Sequence, residues 1–444
     1  MTPYSSNCLE MRHLGQFSGP LASDKLRSKP IEGKQGTVAA SLDRAMVFLT
    51  LGTVGLASIT SRVNAEYSPA AARTAQARKF WHNPQLLRLV SAYAIAYIHM
   101  AGVVGAAHIG PAVLEIFRFG TDLFVVLAGF LTAHVLGNNS TSAGAYLRTR
   151  LIRIVPLYWG FTVLAFLVEN YAMNNHSTPL SALFMSLAFV PHGSYPILYP
   201  TWTLLVIVEF SLIIAAFRIV SVKNGVFYSA AFAVFLAAAG KLSRIDNQIV
   251  VFYTNPILID FALGILIFKF VSSGPFLFKM PQRRIVALAA AAVTFGAMAA
   301  VLRPFFWPAL PRVLALGVPM SLLLLGVVTL EQLGIYNDSK LLNFLAKCTY
   351  SIYLTHWFVD LISEKLVVES GNSAWLATVL LFVTPMAVTC VSVFVYLYAE
   401  LPMTRYLSDW FAAPGTSPSA ATPRSTTGHQ GGAQPRSEHR SRLS

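Results

Sequence analysis

The segment Leu86-Leu-Arg-Leu-Val-Ser-Ala-Tyr-Ala-Ile-Ala-Tyr-Ile-His99 is apolar, long enough to cross a bilayer, and carries two basic residues, Arg88 and His99. Eleven steps at about 100° per residue make about three turns, so on a helix both side chains face the same way, about 16 Å apart. Ionisable groups at membrane depth normally line a cavity and mark a function, which makes His99 the first candidate for chemistry. The alternative is a lone histidine hydrogen-bonded to a neighbouring helix.

The composition is that of an integral membrane protein. Of the 444 residues 55% are hydrophobic and only 12% are charged, with a mean hydropathy of +0.58, whereas soluble domains contain about 25% charged residues. The net charge of +14 comes from basic residues in short segments between apolar runs and in two polar tails. This distribution orients a polytopic protein in lipid, so we expect membrane lipid and no nucleic acid as a partner.

The apolar runs predict an all-α fold with about ten transmembrane helices. They are predicted over residues 86–107, 116–136, 152–172, 200–217, 225–240, 255–270, 285–302, 313–330, 344–367 and 375–399. A further apolar segment, 180–190, is short. If it crossed the membrane, every later loop would invert and the lysines and arginines would face outward, so the positive-inside rule places 173–199 outside and both termini in the cytoplasm.

The regions flanking the transmembrane domain, 86–408, are polar. Residues 1–85 read as a basic, mostly disordered cytoplasmic extension, and 413–444 as a disordered cytoplasmic tail. The apolar stretch 46–60 is short for a span; it is an extra span, a signal-like segment, or part of an N-terminus assigned too far upstream. The cysteines fit no metal or redox spacing, so no metal site is expected.

Five charged residues near the second and third spans are candidates for a site. Arg118 and Asp122 are four residues apart and can pair on one helix face; a self-neutralising pair and a catalytic role are both open. Arg148, Arg150 and Arg153 lie at the cytoplasmic mouth of the third span. Guanidinium groups suit phosphate, so this cluster can hold a coenzyme A donor, although topological anchoring is the alternative.

Carboxylates and a second histidine lie deeper in later spans. Glu209 is well inside the fourth span and Asp260 is at the start of the sixth. Either would orient His99 as a general base if it lay beside it, which the sequence does not decide. His356 and Asp360 share a face of the ninth span, where hydrogen bonding between helices is favoured over catalysis.

In series, these residues resemble the membrane-bound acyltransferase 3 family, which includes bacterial O-acyltransferases of polysaccharides and lipopolysaccharide. The resemblance reaches from about 84 to 408 and is carried by Arg88-x10-His99, Gly120-Thr-Asp-Leu-Phe-Val-Val-Leu-Ala-Gly-Phe-Leu131, Arg150-x2-Arg153-Ile-x-Pro156-x-Tyr158 and Tyr350-Ser-Ile-Tyr-Leu-Thr-His356. The exopolysaccharide acetyltransferase branch is most similar around Pro196-Ile-Leu-Tyr-Pro-Thr-Trp202, Asn255-Pro-Ile-Leu-Ile-Asp260 and Glu400-Leu-Pro-Met-Thr-Arg405.

The chain departs from this family pattern at three places. The family usually has a glutamate five residues after the tryptophan; here Ile207 occupies that place and Glu209 lies two residues further on, roughly on the opposite helix face. Thr121 and Ala128 replace the usual valine and serine.

The resemblance implies a multi-pass O-acyltransferase of the bacterial inner membrane. It would move an acyl group, most simply acetyl from acetyl-CoA, to a hydroxyl of a cell-surface or exported glycan or a lipid-linked sugar. Acyl-CoA would be a donor substrate, with no permanently bound cofactor. The implied catalytic residues are His99 and Arg88, and Arg150 and Arg153 would bind the donor. Supporting roles would fall to Arg118, Asp122, Trp202, Glu209, Asp260, Tyr353 and His356.

Two other classes of function stay open. A transporter or flippase of a lipid-linked or polar solute also needs polar residues inside about ten helices, but it predicts two similar halves, and no such repeat is visible. The third hypothesis for the function is a non-catalytic membrane partner of a polysaccharide synthase. His99 lies about 20 Å from the start of its helix, which favours delivery of the acyl group across the membrane.

Overall fold

The computed structural model describes residues 81–137, 141–172, 178–191, 196–243, 245, 247–273 and 280–411. Within these ranges the chain forms helices and no β-strand, as the composition predicts. The predicted extension up to residue 80, with its apolar stretch 46–60, and the predicted tail 413–444 lie outside the described residues.

Sixteen α-helices are found in the described part of the chain. They are α1 (His82–Ile98), α2 (Ala101–Ala106), α3 (Ala112–Phe117), α4 (Phe119–Gly137), α5 (Ala143–Leu167), α6 (Leu180–Leu187), α7 (Trp202–Val220), α8 (Gly225–Ser243), α9 (Gln248–Tyr253), α10 (Ile257–Ser272), α11 (Gln282–Phe306), α12 (Val318–Gln332), α13 (Lys340–Lys347), α14 (Thr349–Glu369), α15 (Ala374–Val395) and α16 (Leu401–Trp410). Short π-helical turns cover Val168–Ala172, Val313–Gly317 and Tyr396–Glu400, and a 3₁₀ turn covers Tyr199–Thr201.

Eight segments of the described residues are long and apolar enough to cross a membrane. They are Ala112–Gly137, Ala143–Tyr171, Tyr199–Val220, Gly225–Ser243, Gln248–Ser272, Gln282–Phe306, Val313–Gln332 and Ala374–Trp410. The other two predicted spans, 86–107 and 344–367, correspond to α1–α2 and α14, which pack against each other inside the bundle. These two helical segments carry the polar candidates Arg88, His99 and His356, which lowers their apolarity.

The prediction of one continuous helix over 86–107 is wrong, because the helix is interrupted near its centre. Helix α1 ends at Ile98, and α2 begins at Ala101. His99 terminates α1 with φ −87° and ψ −6°, and its backbone N–H donates to Ala96 O at 3.1 Å. The catalytic candidate therefore lies at a break between two helices rather than inside one.

The segment 180–190 does not form a spanning helix. Helix α6 has eight residues, about 12 Å of rise, which is too short to cross a bilayer. Tyr158 and Trp159 of α5 donate to the carbonyl oxygens of Ser186 and Leu187, both at 2.8 Å. These bonds hold α6 along α5, as expected for a segment that packs at the bundle without crossing.

The first turn of α1 is capped by the carboxylate of a residue that is distant in sequence. The backbone N–H groups of His82 and Asn83 donate to the two oxygens of Glu331, at 2.7 and 2.9 Å. A negative group at this end satisfies unpaired N–H groups and interacts favourably with the helix dipole. The position of α1, and of its basic residues, is thereby tied to α12.

Helices α4 and α10 cross closely through two glycines. A Cβ on Gly129 would overlap the carbonyl oxygen of Phe261, and a Cβ on Gly264 would overlap that of Val126. Small residues at such a crossing let two backbones approach, which is how helices associate in lipid. The crossing positions Asp122 and Asp260, which lie on the same two helices.

We expect Gly264→Ala to lower the thermal stability of the purified protein by about 1–3 kcal/mol, because the obstructing atom is a backbone oxygen that cannot rotate away. The matched control is Gly160→Ala on α5, where nothing lies within 4 Å of an added Cβ and alanine is the better helix former. Thermal unfolding in detergent measures both variants. Equal midpoints for the two variants would contradict the close crossing.

Candidate active site

His99 lies half-buried at the junction of α1 and α2, among two rings and a guanidinium group. The Tyr199 ring meets it edge-on with centroids 5.4 Å apart, and the His356 ring lies at 5.4 Å and a 33° tilt. His356 and Arg118 interact with it electrostatically. Among the described residues, no hydrogen bond to its ring nitrogens is found. The imidazole is thus held by ring contacts and keeps its nitrogens available for a substrate.

Arg118 belongs to an ion network beside this histidine. Its Nε lies 2.7 Å from Glu115 Oε2, and the same oxygen accepts a hydrogen bond from Arg303 Nη1 at 3.0 Å. The predicted pairing of Arg118 with Asp122 is wrong. Spacing of four allows that pair, but Arg118 pairs with Glu115, three residues earlier, and Asp122 pairs with Arg312.

Three predicted arginines meet at the other end of α1. Arg88 interacts electrostatically with Arg150 and Arg153 of α5 and with Glu400. Ser351 donates to Glu400 Oε2 at 2.6 Å, which holds this carboxylate in place. Three positive charges against one negative charge leave a surplus that suits a polyanionic ligand.

The three arginines differ in how they are held. Arg88 is half-buried and donates to Gln85 Oε1 and to Ala346 O, each at 3.2 Å. Arg150 donates to Thr132 Oγ1 at 2.5 Å. Arg153 is exposed, so its guanidinium is accessible to a ligand that approaches the cluster.

Tyr353 packs beside His356 and connects α14 to the turn that carries Tyr199. Its hydroxyl donates to Pro200 O at 2.5 Å and shares a 2.6 Å hydrogen bond with Thr203. These bonds tie α14 to the 3₁₀ turn that carries Tyr199. Its ring lies 6.0 Å from that of His356. Tyr353 therefore contacts both segments that supply the rings around His99, those of Tyr199 and His356.

A second charged cluster lies between α4, α10 and the segment ahead of α12. Arg312 forms a bidentate ion pair with Asp122. Its Nε donates to Oδ1 and its Nη2 to Oδ2, each at 3.0 Å. Asp260 is fully buried and interacts electrostatically with Asp122 and Arg312. The guanidinium lies 5.9 Å from the centre of the Trp202 ring. Three of the predicted supporting residues thus meet around one arginine.

Comparison with known proteins identifies the family of the chain. Residues 81–396 match a family defined as an acyltransferase domain, acyltransferase 3. The chain belongs to this family. Over 306 residues it is 28% identical to the exopolysaccharide production protein ExoZ of Rhizobium meliloti (strain 1021), a match that covers 64% of this chain and 89% of that protein. No solved structure matches the chain. The protein is therefore a multi-pass membrane acyltransferase.

In this acyltransferase neither predicted carboxylate is found to interact with His99 in the part of the chain that the structure describes. Asp260 is engaged with Asp122 and Arg312, and Glu209 interacts electrostatically with Tyr253 of α9. The groups that interact with the imidazole are instead the basic side chains of His356 and Arg118. Among the described residues, Glu209 and Asp260 make no interaction with His99 that would orient it.

Several residues of these clusters were missed as site candidates by the sequence reasoning, among them Tyr199, Arg312 and Glu400. Tyr199 lies in a 3₁₀ turn ahead of an apolar span, Arg312 directly ahead of another, and Glu400 in a π-helical turn that ends a third. A polar side chain at the first or last turn of an apolar span is the signal that could have found them. Such residues reach the bundle interior without interrupting the apolar run.

Proposed function

We propose that this acyltransferase moves an acetyl group from acetyl-CoA to a hydroxyl of an exported glycan, with His99 as the catalytic residue. The proposal rests on the arrangement of the basic residues along α1. One end of this helix contributes Arg88 to a cluster of three arginines, and the other end presents a half-buried histidine. Donor and acceptor sites are thus joined by one helix.

The arginine cluster is the proposed site for the donor. Coenzyme A carries a pyrophosphate and a 3′-phosphate, and guanidinium groups bind phosphate through paired, charge-assisted hydrogen bonds. The axial rise from Arg88 to His99 is about 16 Å. The pantetheine arm of the donor bridges this distance and brings the thioester to the imidazole from the cytoplasmic side.

His99 performs the chemistry in one of two ways. The neutral imidazole takes the proton of the acceptor hydroxyl as the oxygen attacks the thioester carbonyl, or it first carries the acyl group itself. Both routes develop negative charge on the carbonyl oxygen. Arg118, anchored by Glu115 beside the ring, is placed to stabilise that charge.

The glycan acceptor and the membrane are proposed on two grounds. The relative in Rhizobium meliloti is named for exopolysaccharide production, which supports a polysaccharide hydroxyl or its lipid-linked precursor as acceptor. The distribution of lysine and arginine supports the bacterial inner membrane with both termini in the cytoplasm. An acceptor outside and a donor inside then require the acyl group to cross the membrane.

We expect Arg88→Gln and Arg150→Gln each to raise the KM for acetyl-CoA about tenfold, because each removes a charge-assisted phosphate contact worth about 1.5 kcal/mol or more. The assay follows radiolabelled acetyl from acetyl-CoA onto exopolysaccharide isolated from a strain that lacks the gene. Arg284→Gln, an exposed arginine at the start of α11, is the matched control.

Two outcomes of this assay are decisive. Failure of the parent protein to label the glycan rejects the proposed function. Labelling by the parent with an unchanged KM in both arginine variants rejects the donor site while leaving the acyltransferase reaction in place.

A further inference from the structure

We propose that His356, Asp360 and Glu364 of α14 form an outward proton path that removes the proton taken up by His99. The inference rests on the proposed function, since it concerns the fate of the acceptor hydroxyl's proton. The three residues follow one another at intervals of four, so they share a helix face, with about 6 Å of rise between neighbours. The path begins beside His99, where the rings of the two histidines lie 5.4 Å apart.

Burial decreases along this row. His356 is 0% exposed and Asp360 3%, whereas Glu364 is half-buried. The Glu364 carboxylate accepts a hydrogen bond at 3.0 Å from the backbone N–H of Gly102, three residues after His99. The two ends of the row are therefore both held at the α1–α2 break, one by ring contact and one by a hydrogen bond.

His356 and Asp360, the inner members of the row, have buried polar atoms without a hydrogen-bond partner among the described residues. His356 Nδ1 bonds within its own helix, to Ile352 O at 3.2 Å. Among the described residues, His356 Nε2 and both oxygens of Asp360 have no hydrogen-bond partner. The predicted hydrogen bond between helices is therefore wrong for His356. Buried polar atoms left in this state need a functional reason, and exchange of protons supplies one.

Among the described residues, no cation is found to interact with Asp360, so it is not part of an ion pair there. The charged group that interacts with it is Glu364, a second acid. In the described part of the chain, α2 has no titratable side chain, and α15 presents Thr384 to Ser363 at 2.8 Å. In the described part of the chain, titratable groups on the elements packed against this part of α14 include Tyr93, Tyr97, Tyr199 and Cys390. The cation Arg118 interacts with His99.

The direction of the path follows from the helix ends. Ala346, just ahead of α14, accepts a hydrogen bond from Arg88, so α14 starts at the arginine cluster. At this end, Arg153 of α5 interacts electrostatically with Tyr350. Residues further along α14 lie progressively closer to the opposite face of the membrane. The row therefore leads away from the donor site toward the acceptor side.

The reaction balances with this path. The acceptor O–H bond breaks, a C–O bond forms to the acetyl carbon, and the thioester C–S bond breaks. The hydroxyl proton passes from His99 along the row to the outer aqueous phase, while the CoA thiolate takes one proton from the cytoplasm. The products are the O-acetylated glycan and CoA thiol, and no oxidant or reductant is needed.

The test measures kcat, the KM for acetyl-CoA and the solvent deuterium isotope effect in the radiolabel assay. Asp360→Asn and Glu364→Gln keep the shape of each side chain and remove its proton exchange. We expect kcat to fall about tenfold to a hundredfold, with KM unchanged and a larger isotope effect because proton removal becomes rate-limiting. Asp360→Glu should recover part of kcat. Glu369→Gln, exposed near the end of the same helix, is the matched control.

The outcomes separate this proposal from the proposed function. An inactive parent protein rejects the function itself. An active parent with parent-like kcat and isotope effect in Asp360→Asn and Glu364→Gln overturns the path. Loss of kcat accompanied by a lower unfolding temperature and an unchanged isotope effect also overturns it, because that result identifies a structural role.

Discussion

Replacing His99 by asparagine is expected to lower kcat/KM for acetyl transfer by about 10²–10⁴-fold, the contribution of a general acid–base group. Asparagine keeps a polar side chain at the end of α1 but has no basic nitrogen. The half-buried ring makes no hydrogen bond that is found among the described residues, so the variant should keep its fold. The radiolabel assay, with initial rates at acetyl-CoA concentrations well below KM, measures the loss.

The matched control for this variant is His108→Asn. His108 is an exposed histidine with φ +58° in the loop after α2, and asparagine tolerates that backbone region. We expect parent-like transfer from it and an unfolding temperature close to the parent's for both variants. Transfer by His99→Asn within a fewfold of the control would remove the imidazole from the mechanism.

The bundle was predictable because lipid imposes a simple rule. A backbone in hydrocarbon must satisfy its own hydrogen bonds, so apolar runs of sufficient length become helices. The break at His99 was not predictable in the same way. Residues 98–101 contain neither proline nor glycine, and the end of α1 coincides with contacts to Tyr199 and His356, which are distant in sequence.

The active-site candidates were predictable one by one, but their grouping was not. Arg88, His99 and His356 stand out because charge or polarity inside an apolar run is costly. Their partners are set by packing: Arg88 meets Ala346, which is 258 positions away. Local spacing also failed for Arg118 and Asp122, because each has another partner: Glu115 for Arg118, and Arg312, 190 positions away, for Asp122.

The cluster around Arg312 shows what such packing contributes to stability. Asp122 comes from α4, Asp260 from α10, and Arg312 precedes the π-helical turn Val313–Gly317. A Cβ on Gly317 would overlap an oxygen of Asp260, so the turn lies directly against the buried acid. The arginine is the positive charge that holds two acids and three segments together.

We expect Arg312→Gln to destabilise the protein by about 3 kcal/mol, because removal of one partner leaves a buried carboxylate uncompensated. This is the low end of the usual range, since the Arg312 side chain is 30% exposed while that of Asp122 is 0% exposed. Unfolding temperatures at one heating rate measure the effect. The exposed Arg283→Gln is the control.

The double variant Asp122→Asn with Arg312→Gln decides whether charge is the cause. If the loss arises from an unpaired acid, neutralising Asp122 removes most of it, and the double variant unfolds at a higher temperature than Arg312→Gln alone. If the arginine acts only by filling space over Trp202, from whose ring centre it lies 5.9 Å, the second substitution brings no recovery. Recovery would show that the charge pair joins α4 to the segment before α12.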